Sequence, residues 1–277
     1  VAEPEIQRSG PTQISVGLPD VKNAKRAQDQ VGTTAQLYFY DWEPNVIGAD
    51  GKPNPTDATV TDTPLLNLFQ AVQRASKRPP EKNLGSSIGD QWYLFSKDNQ
   101  LIAGPEDTRE DLVSELPGQR QPAGAKVFKV NQGTTIVQAQ PPDNLPKDQK
   151  YERYFVIRDA PALSGKDIKD PKQEFDSGPG GGGQPIVTME FTGGGRKKFQ
   201  EVTRQIAQRG QQVQVPGQPP QSAFQHFAVV LDNKIVSRPY IDFNQNPDGI
   251  DGRTGAQISG GFTIRTAQDL AKFLKIG

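Results

Sequence analysis

Several short stretches carry residue types that could do chemistry. Gly85-x-Ser87-x-Gly89 has the spacing of a nucleophile elbow, in which a serine stands on a sharp strand-to-helix turn. A hydrolase built on it would take Ser87 as nucleophile and the single histidine, His226, as base. An elbow needs a buried strand just before it, and the preceding KRPPEKN is polar loop, so a plain turn is the favoured reading. Gly178-x-Gly180-x-x-Gly183 fits the dinucleotide fingerprint, but that motif must open a helix, and here a strand pattern follows. Gly193-Gly194-Gly195-Arg196-Lys197-Lys198 lacks the spacing and hydroxyl residue of a phosphate-binding loop. Asp248 to Gly252 reads as a turn, because no calcium-type loop with its spaced Glu is present.

The composition narrows the chemistry further. The 277 residues contain no Cys and one His, which excludes disulfides, thiolate catalysis, Cys-ligated zinc and a two-histidine metal site within one chain. No cofactor, no metal and no catalytic role is expected. Lys and Arg total 32 and Asp and Glu total 32, so the basic excess of a nucleic-acid binder is missing. The mean hydropathy of −0.67 and the 28 Gly and 24 Pro predict ordered cores separated by polar loops. No apolar run is long enough to span a bilayer. The abrupt start at Val1, without an initiator Met, leads us to expect a fragment excised from a larger protein.

The elements that would position these residues follow from periodicity. Ile14, Val16 and Leu18 alternate as in a strand, Lys22 to Val31 suits a surface helix, and the aromatic-rich 35–41 suits a second strand. Residues 45–63 read as loop. Leu65, Leu68, Phe69 and Val72 predict a helix running to about Lys77, stopped by Pro79-Pro80. Strands are expected at 91–95, 125–130, 134–139 and 153–158, with a helix over 106–115. Residues 159–184 read as a flexible linker. Val187, Met189 and Phe191 then alternate, Gly193–Gly195 turns the chain, and Phe199, Val202 and Ile206 predict an amphipathic helix over 196–209. A strand at 227–231, a hairpin turn at Asp232-Asn233, a short strand at 256–259 and a last helix opened by Thr266 and Asp269 complete the pattern. The order predicts an α+β chain with a mainly antiparallel sheet.

Four segments resemble the SecD/SecDF protein-export family, in family order. They are VAEPEIQRSGPTQISV at 1–16, LSGKDIKDPKQEF at 163–175, VVLDNKIVSRPYI at 229–241 and QISGGFTIRTAQDLAKFL at 257–274. The strand and helix over 185–205 also resemble that family, whereas Asn233 and Arg238 depart from its pattern. The resemblance implies the large first extracytoplasmic domain, on the periplasmic or cell-exterior side, of a multi-pass membrane protein. It implies a ferredoxin-like base over 1–44, with a returning strand near 151–160, and an α+β head over 161–277. Residues 45–150 would be an insertion.

The implied function is capture and movement of preproteins emerging from the translocon, driven in the parent protein by the proton-motive force. The implied partners are unfolded preprotein, a SecF-type subunit and the SecYEG translocon, with no nucleic acid. Groove candidates for the polypeptide are Met189, Phe191, Ile258 and Phe262. Hinge candidates are Pro161, Ser164 and Gly165. Alternating apolar residues in strands usually face a core, which weighs against the groove reading. The alternatives are a docking domain that never touches substrate and, remotely, the serine hydrolase.

Overall fold

The computed structural model describes residues 5–8, 14–17, 36–114, 116–142, 145–146, 149–177, 182–259 and 262–276. The chain divides into two compact units, Val1–Thr34 and Ala35–Gly277. In the first, β1 (Glu5–Arg8) pairs antiparallel with β2 (Ile14–Gly17). The helix expected at 22–31 lies outside the described residues; among the described residues of this unit, that strand pair is what is seen of the expected ferredoxin-like base.

The second unit is α+β. Its largest sheet has the order β8 (Tyr154–Arg158), β7 (Thr134–Gln138), β13 (Lys234–Ser237), β12 (Gln225–Leu231), β3 (Leu37–Asp41) and β9 (Leu163–Ser164). β14 (Tyr240–Ile241) pairs with β12 beyond β13. Every pairing is antiparallel except the single Lys234–Gln138 bridge joining β13 to β7. The sheet takes strands from all three stretches of the sequence reading: β3 from 1–44, β7 from 45–150 and β12 from 161–277.

Strand β3 explains the architecture. Its side chains alternate between faces, as any strand's must. Leu37 and Phe39 enter one core, while Tyr38 and Tyr40 enter another on the opposite face. Both faces are buried, so the aromatic-rich sequence shows no polar alternation. Helix α1 (Trp42–Asn45) follows at once, with Trp42 buried edge-on against Phe155 and its indole N–H donating to the Thr61 carbonyl at 2.7 Å.

The Leu37/Phe39 side is covered by α5 (Gly193–Val213), which buries the predicted Phe199, Val202 and Ile206. Against it lies a second antiparallel sheet, β10 (Ile168–Phe175), β11 (Pro185–Phe191) and β15 (Ala256–Ile258). Helix α6 (Ile264–Ile276) buries Ala267, Leu270, Ala271 and Leu274 in the same core. Two further short helices, α2 (Ala58–Thr61) and α3 (Leu68–Ala75), precede a third sheet ordered β5 (Leu101–Glu106), β4 (Gln91–Phe95), β6 (Lys126–Val130). Helix α4 (Arg109–Ser114) packs on it through Leu112.

Several expectations are corrected. The linker expected over 159–184 is corrected in its middle part, because β9, a 3-10 turn and β10 fill 163–175 in succession; residues 178–181 lie outside the described residues. The charged β10 escaped notice because it is an edge strand interrupted by a register shift at Lys169–Lys172. Gly193–Gly195 does not turn the chain. It opens α5, with the Thr192 side chain capping the Gly195 N–H. Helix α3 starts at Leu68, set by a reciprocal Asn67–Gln70 capping box, and α6 is capped by Thr263 with Thr266. The Asp232-Asn233 turn forms as predicted, with both residues at positive φ.

Candidate functional site

Among the described residues, a dense gathering of ionisable groups lies where β3 ends. Asp41 closes that strand and Glu43 is the second residue of α1, so two carboxylates lie close together in the chain. Arg209, on α5, binds Asp41 in a two-pronged arrangement, one prong being Nη1 to Oδ2 at 2.9 Å, and also donates to Gln225. It stands 3.9 Å from Glu43. Glu43 is 3% exposed and accepts the backbone N–H of His226 at 3.0 and 3.1 Å, with the ring Nδ1 at 2.6 Å. Burial pushes the Asp41 carboxyl up, against the pull of Arg209. The arrangement clamps β3, α1, α5 and β12 to one another.

A second buried polar group lies near the other face of β3. Tyr38 and Ser87 share a hydroxyl–hydroxyl bond of 2.6 Å, and the Tyr40 hydroxyl donates to Asp159 Oδ1 at 2.7 Å. Asp159 is 1% exposed, and its Oδ2 has no hydrogen-bond partner among the described residues. Burial raises its carboxyl, while Ser86 and Tyr40 lower it.

The hydrolase expectation therefore has no assembled pair: Ser87 is held by Tyr38 and His226 by Glu43. Tyr38 pairs with Val230, four residues along β12 from His226, a spacing of roughly 13 Å. Gly178 and Gly180 of the dinucleotide-like motif lie outside the described residues.

Of the groove candidates, Met189, Phe191 and Ile258 are 3%, 8% and 4% exposed and belong to the core under α5 and α6. These three side chains lie in that core rather than at the surface. Phe262 is half-buried against the same core. The hinge candidates lie in bonded chain: Ala162, next to Pro161, donates to Phe39, Ser164 pairs with Tyr38, and Gly165 starts a 3-10 turn, Gly165–Asp167.

What periodicity could not show is the exposed aromatic surface. Tyr240 is 60% exposed and stacks on Phe224 at 5.2 Å, and Phe224 meets buried Phe243 edge-on at 5.2 Å. Phe175, Val215 and Ile264 are also exposed. Tyr240 lies opposite His226 in the β12–β14 register, so the platform adjoins the charged clamp.

Residues 142–277 match the family model for the SecDF P1 head subdomain, and residues 1–44 match that for the N-terminal part of the P1 domain of protein translocase subunit SecDF. The chain is 26% identical to protein translocase subunit SecD of Streptomyces coelicolor, covering 100% of this chain and 51% of that protein. It is 25% identical to SecD of Synechocystis sp., covering 100% of this chain and 42% of that protein. To SecD of Acidaminococcus fermentans it is 32% identical over 61% of this chain and 30% of that protein. The chain thus spans about half the length of the relatives it matches end to end. Among solved structures it is similar to a membrane component SecDF that enhances protein export, at 23% identity and TM-score 0.37, covering 100% of this chain and 79% of that one. A SecDF structure in a super-membrane-facing form gives 23% identity and TM-score 0.39, over 100% of this chain and 24% of that one.

Proposed function

Because the chain belongs to the SecD/SecDF P1 family, we propose that it is an extracytoplasmic part of a Sec translocon accessory protein, and that it captures preprotein emerging from the translocon and helps move it forward. The observation that carries this reading is the match of residues 142–277 to the SecDF P1 head subdomain. No helix among the described residues is long and apolar enough to cross a membrane, and in this reading the proton-motive force acts through the parent protein. A SecF-type subunit and SecYEG are the partners the family implies.

Capture of unfolded chain asks for accessible apolar surface that tolerates many sequences. The stacked Tyr240–Phe224 pair supplies it, since an aromatic face accepts aliphatic and aromatic side chains alike. Met189, Phe191 and Ile258 would join such a surface only if the head core opened. Pro161, Ser164 and Gly165 remain our hinge residues for that opening, since they connect β8 to the head strands.

The test is binding of an unfolded, apolar secretory peptide, followed by backbone amide shifts or Trp42 and Trp92 fluorescence, with a folded protein as control. Saturable binding of the unfolded peptide alone, mapped to 161–277, supports capture. Absence of binding up to millimolar peptide overturns it and favours a docking domain for the translocon or partner subunit.

A further inference from the structure

The clamp at the end of β3 does not balance its charge by itself. Asp41 and Glu43 bring two negative charges and Arg209 one positive charge. The remaining ionisable group in direct contact is His226, whose ring lies 2.6 Å from Glu43. With the ring protonated the cluster is neutral; with the ring neutral, one negative charge is left in a site where Glu43 is 3% exposed. A net charge withdrawn from water is strongly disfavoured.

The surrounding groups do not supply the missing charge. From α1, Asn45 donates its side-chain amide to the Asp41 carbonyl, and Trp42 lies under Arg238, which is paired with Asp62. Along α5, Lys198 is engaged by Asp167 and Glu201 by Arg204, and Gln205 is neutral. Arg158, across the same cleft, is engaged by Glu81. β12 adds the neutral Gln225 amide and β14 the Tyr240 phenol opposite His226.

We propose that His226 and Glu43 form a proton-dependent clasp that sets how firmly α5 and β12 are held to residues 37–45. The clasp is tight when the ring is charged and loosens when the ring is neutral. Histidine is the side chain whose ordinary titration falls between pH 5 and 8. The clasp needs no bound peptide and does not depend on the capture reading.

The experiment uses the full chain. The ring signals of its single histidine report protonation without ambiguity, and amide hydrogen exchange reports the docking of α5. Between pH 5 and 8, exchange being corrected for its intrinsic pH dependence, protection of α5 amides should fall about tenfold over the interval in which the ring loses its proton. Amides of β4 and β6 should not follow, and His226→Gln should abolish the dependence. Protection that stays constant through the ring titration, or that falls equally in the Gln variant, overturns the proposal. If the variant does not fold, the wild-type comparison of ring and helix still decides.

Discussion

Gly195, in the first turn of α5, lies so close to Asp167 that a methyl group there would sit 2.9 Å from the Asp167 carbonyl carbon and nearer still to its oxygen. The contact is one of several. The Thr192 N–H donates to the same carbonyl at 2.9 Å, and the Asp167 carboxylate accepts Lys198 at 2.8 Å and the Ser164 N–H at 3.0 Å. The long helix is thereby anchored to the turn that follows β9.

Gly195→Ala should therefore destabilise the protein by about 3 kcal/mol, because the backbone of Asp167 must move and its partners with it. Gly193 and Gly194 have nothing within 4 Å of an added methyl, so alanine there should be neutral or stabilising by up to about 1 kcal/mol. Urea unfolding of the three variants checks the contrast. Equal effects at Gly194 and Gly195 would refute the close approach.

Asp159 should make stability fall as pH rises. Its folded-state carboxyl is raised, chiefly by burial, so the folded protein keeps a proton that the unfolded chain has lost. The favourable contribution is complete below the unfolded value of about 3.9 and disappears as pH climbs through the folded value. Asp159→Asn preserves an acceptor for Tyr40 and removes the titration. Unfolding midpoints between about pH 4 and 7 should decline less in the variant than in the parent; parallel curves would count against a proton held there.

Glu81 has the opposite sign. Burial pushes its carboxyl up, but the hydrogen bonds and charges of Arg158 and Arg78 outweigh this and hold it below the ordinary glutamate range. Its contribution is present above the unfolded value of about 4.3 and is lost as pH falls through the folded one. Glu81→Gln should cost about 1 kcal/mol at pH 7 and progressively less toward pH 3. A cost that is independent of pH would show that the two arginines do not hold the charge.

Peptide capture and core packing can be separated by two alanine variants. Tyr240→Ala, at a side chain 60% exposed, should weaken binding of an unfolded peptide about tenfold and leave the unfolding midpoint nearly unchanged. Met189→Ala should cost about 2–4 kcal/mol of stability. Titration and urea unfolding measured on both variants decide. Unaltered affinity in the Tyr240 variant would remove the aromatic platform from the capture surface.

The parts of this fold legible in the sequence are those where one element suffices to show the pattern. Phe199, Val202 and Ile206 mark a helix face, and Asp232-Asn233 marks a turn, before any partner is known. β5 was missed because Gly104-Pro105 reads as a break, although the strand continues through both. The clasp was invisible for a different reason. Glu43 and His226 are 183 residues apart and meet only because β3 pairs with β12. No spacing rule reaches across that distance. Met189 and Ile258, on the separate β11–β15 pair, face the core beneath α5 and α6, and local alternation alone names no such partner.

The place of β3 between β12 and the short edge strand β9 bears on how this chain reaches its final form. Its hydrogen-bonded neighbours are Leu163–Ser164 and Gln225–Leu231, and Gln36, just before it, donates to Asp232, 196 residues later. During synthesis this aromatic strand has no partner until residues 163–164 have been made, and its longer partner, β12, comes later still. Such long-range closure slows folding and prolongs exposure of a sticky segment. A chain released early would therefore be the form most prone to aggregate, and a holding chaperone acting on the nascent chain would find its most obvious ligand at Leu37–Asp41.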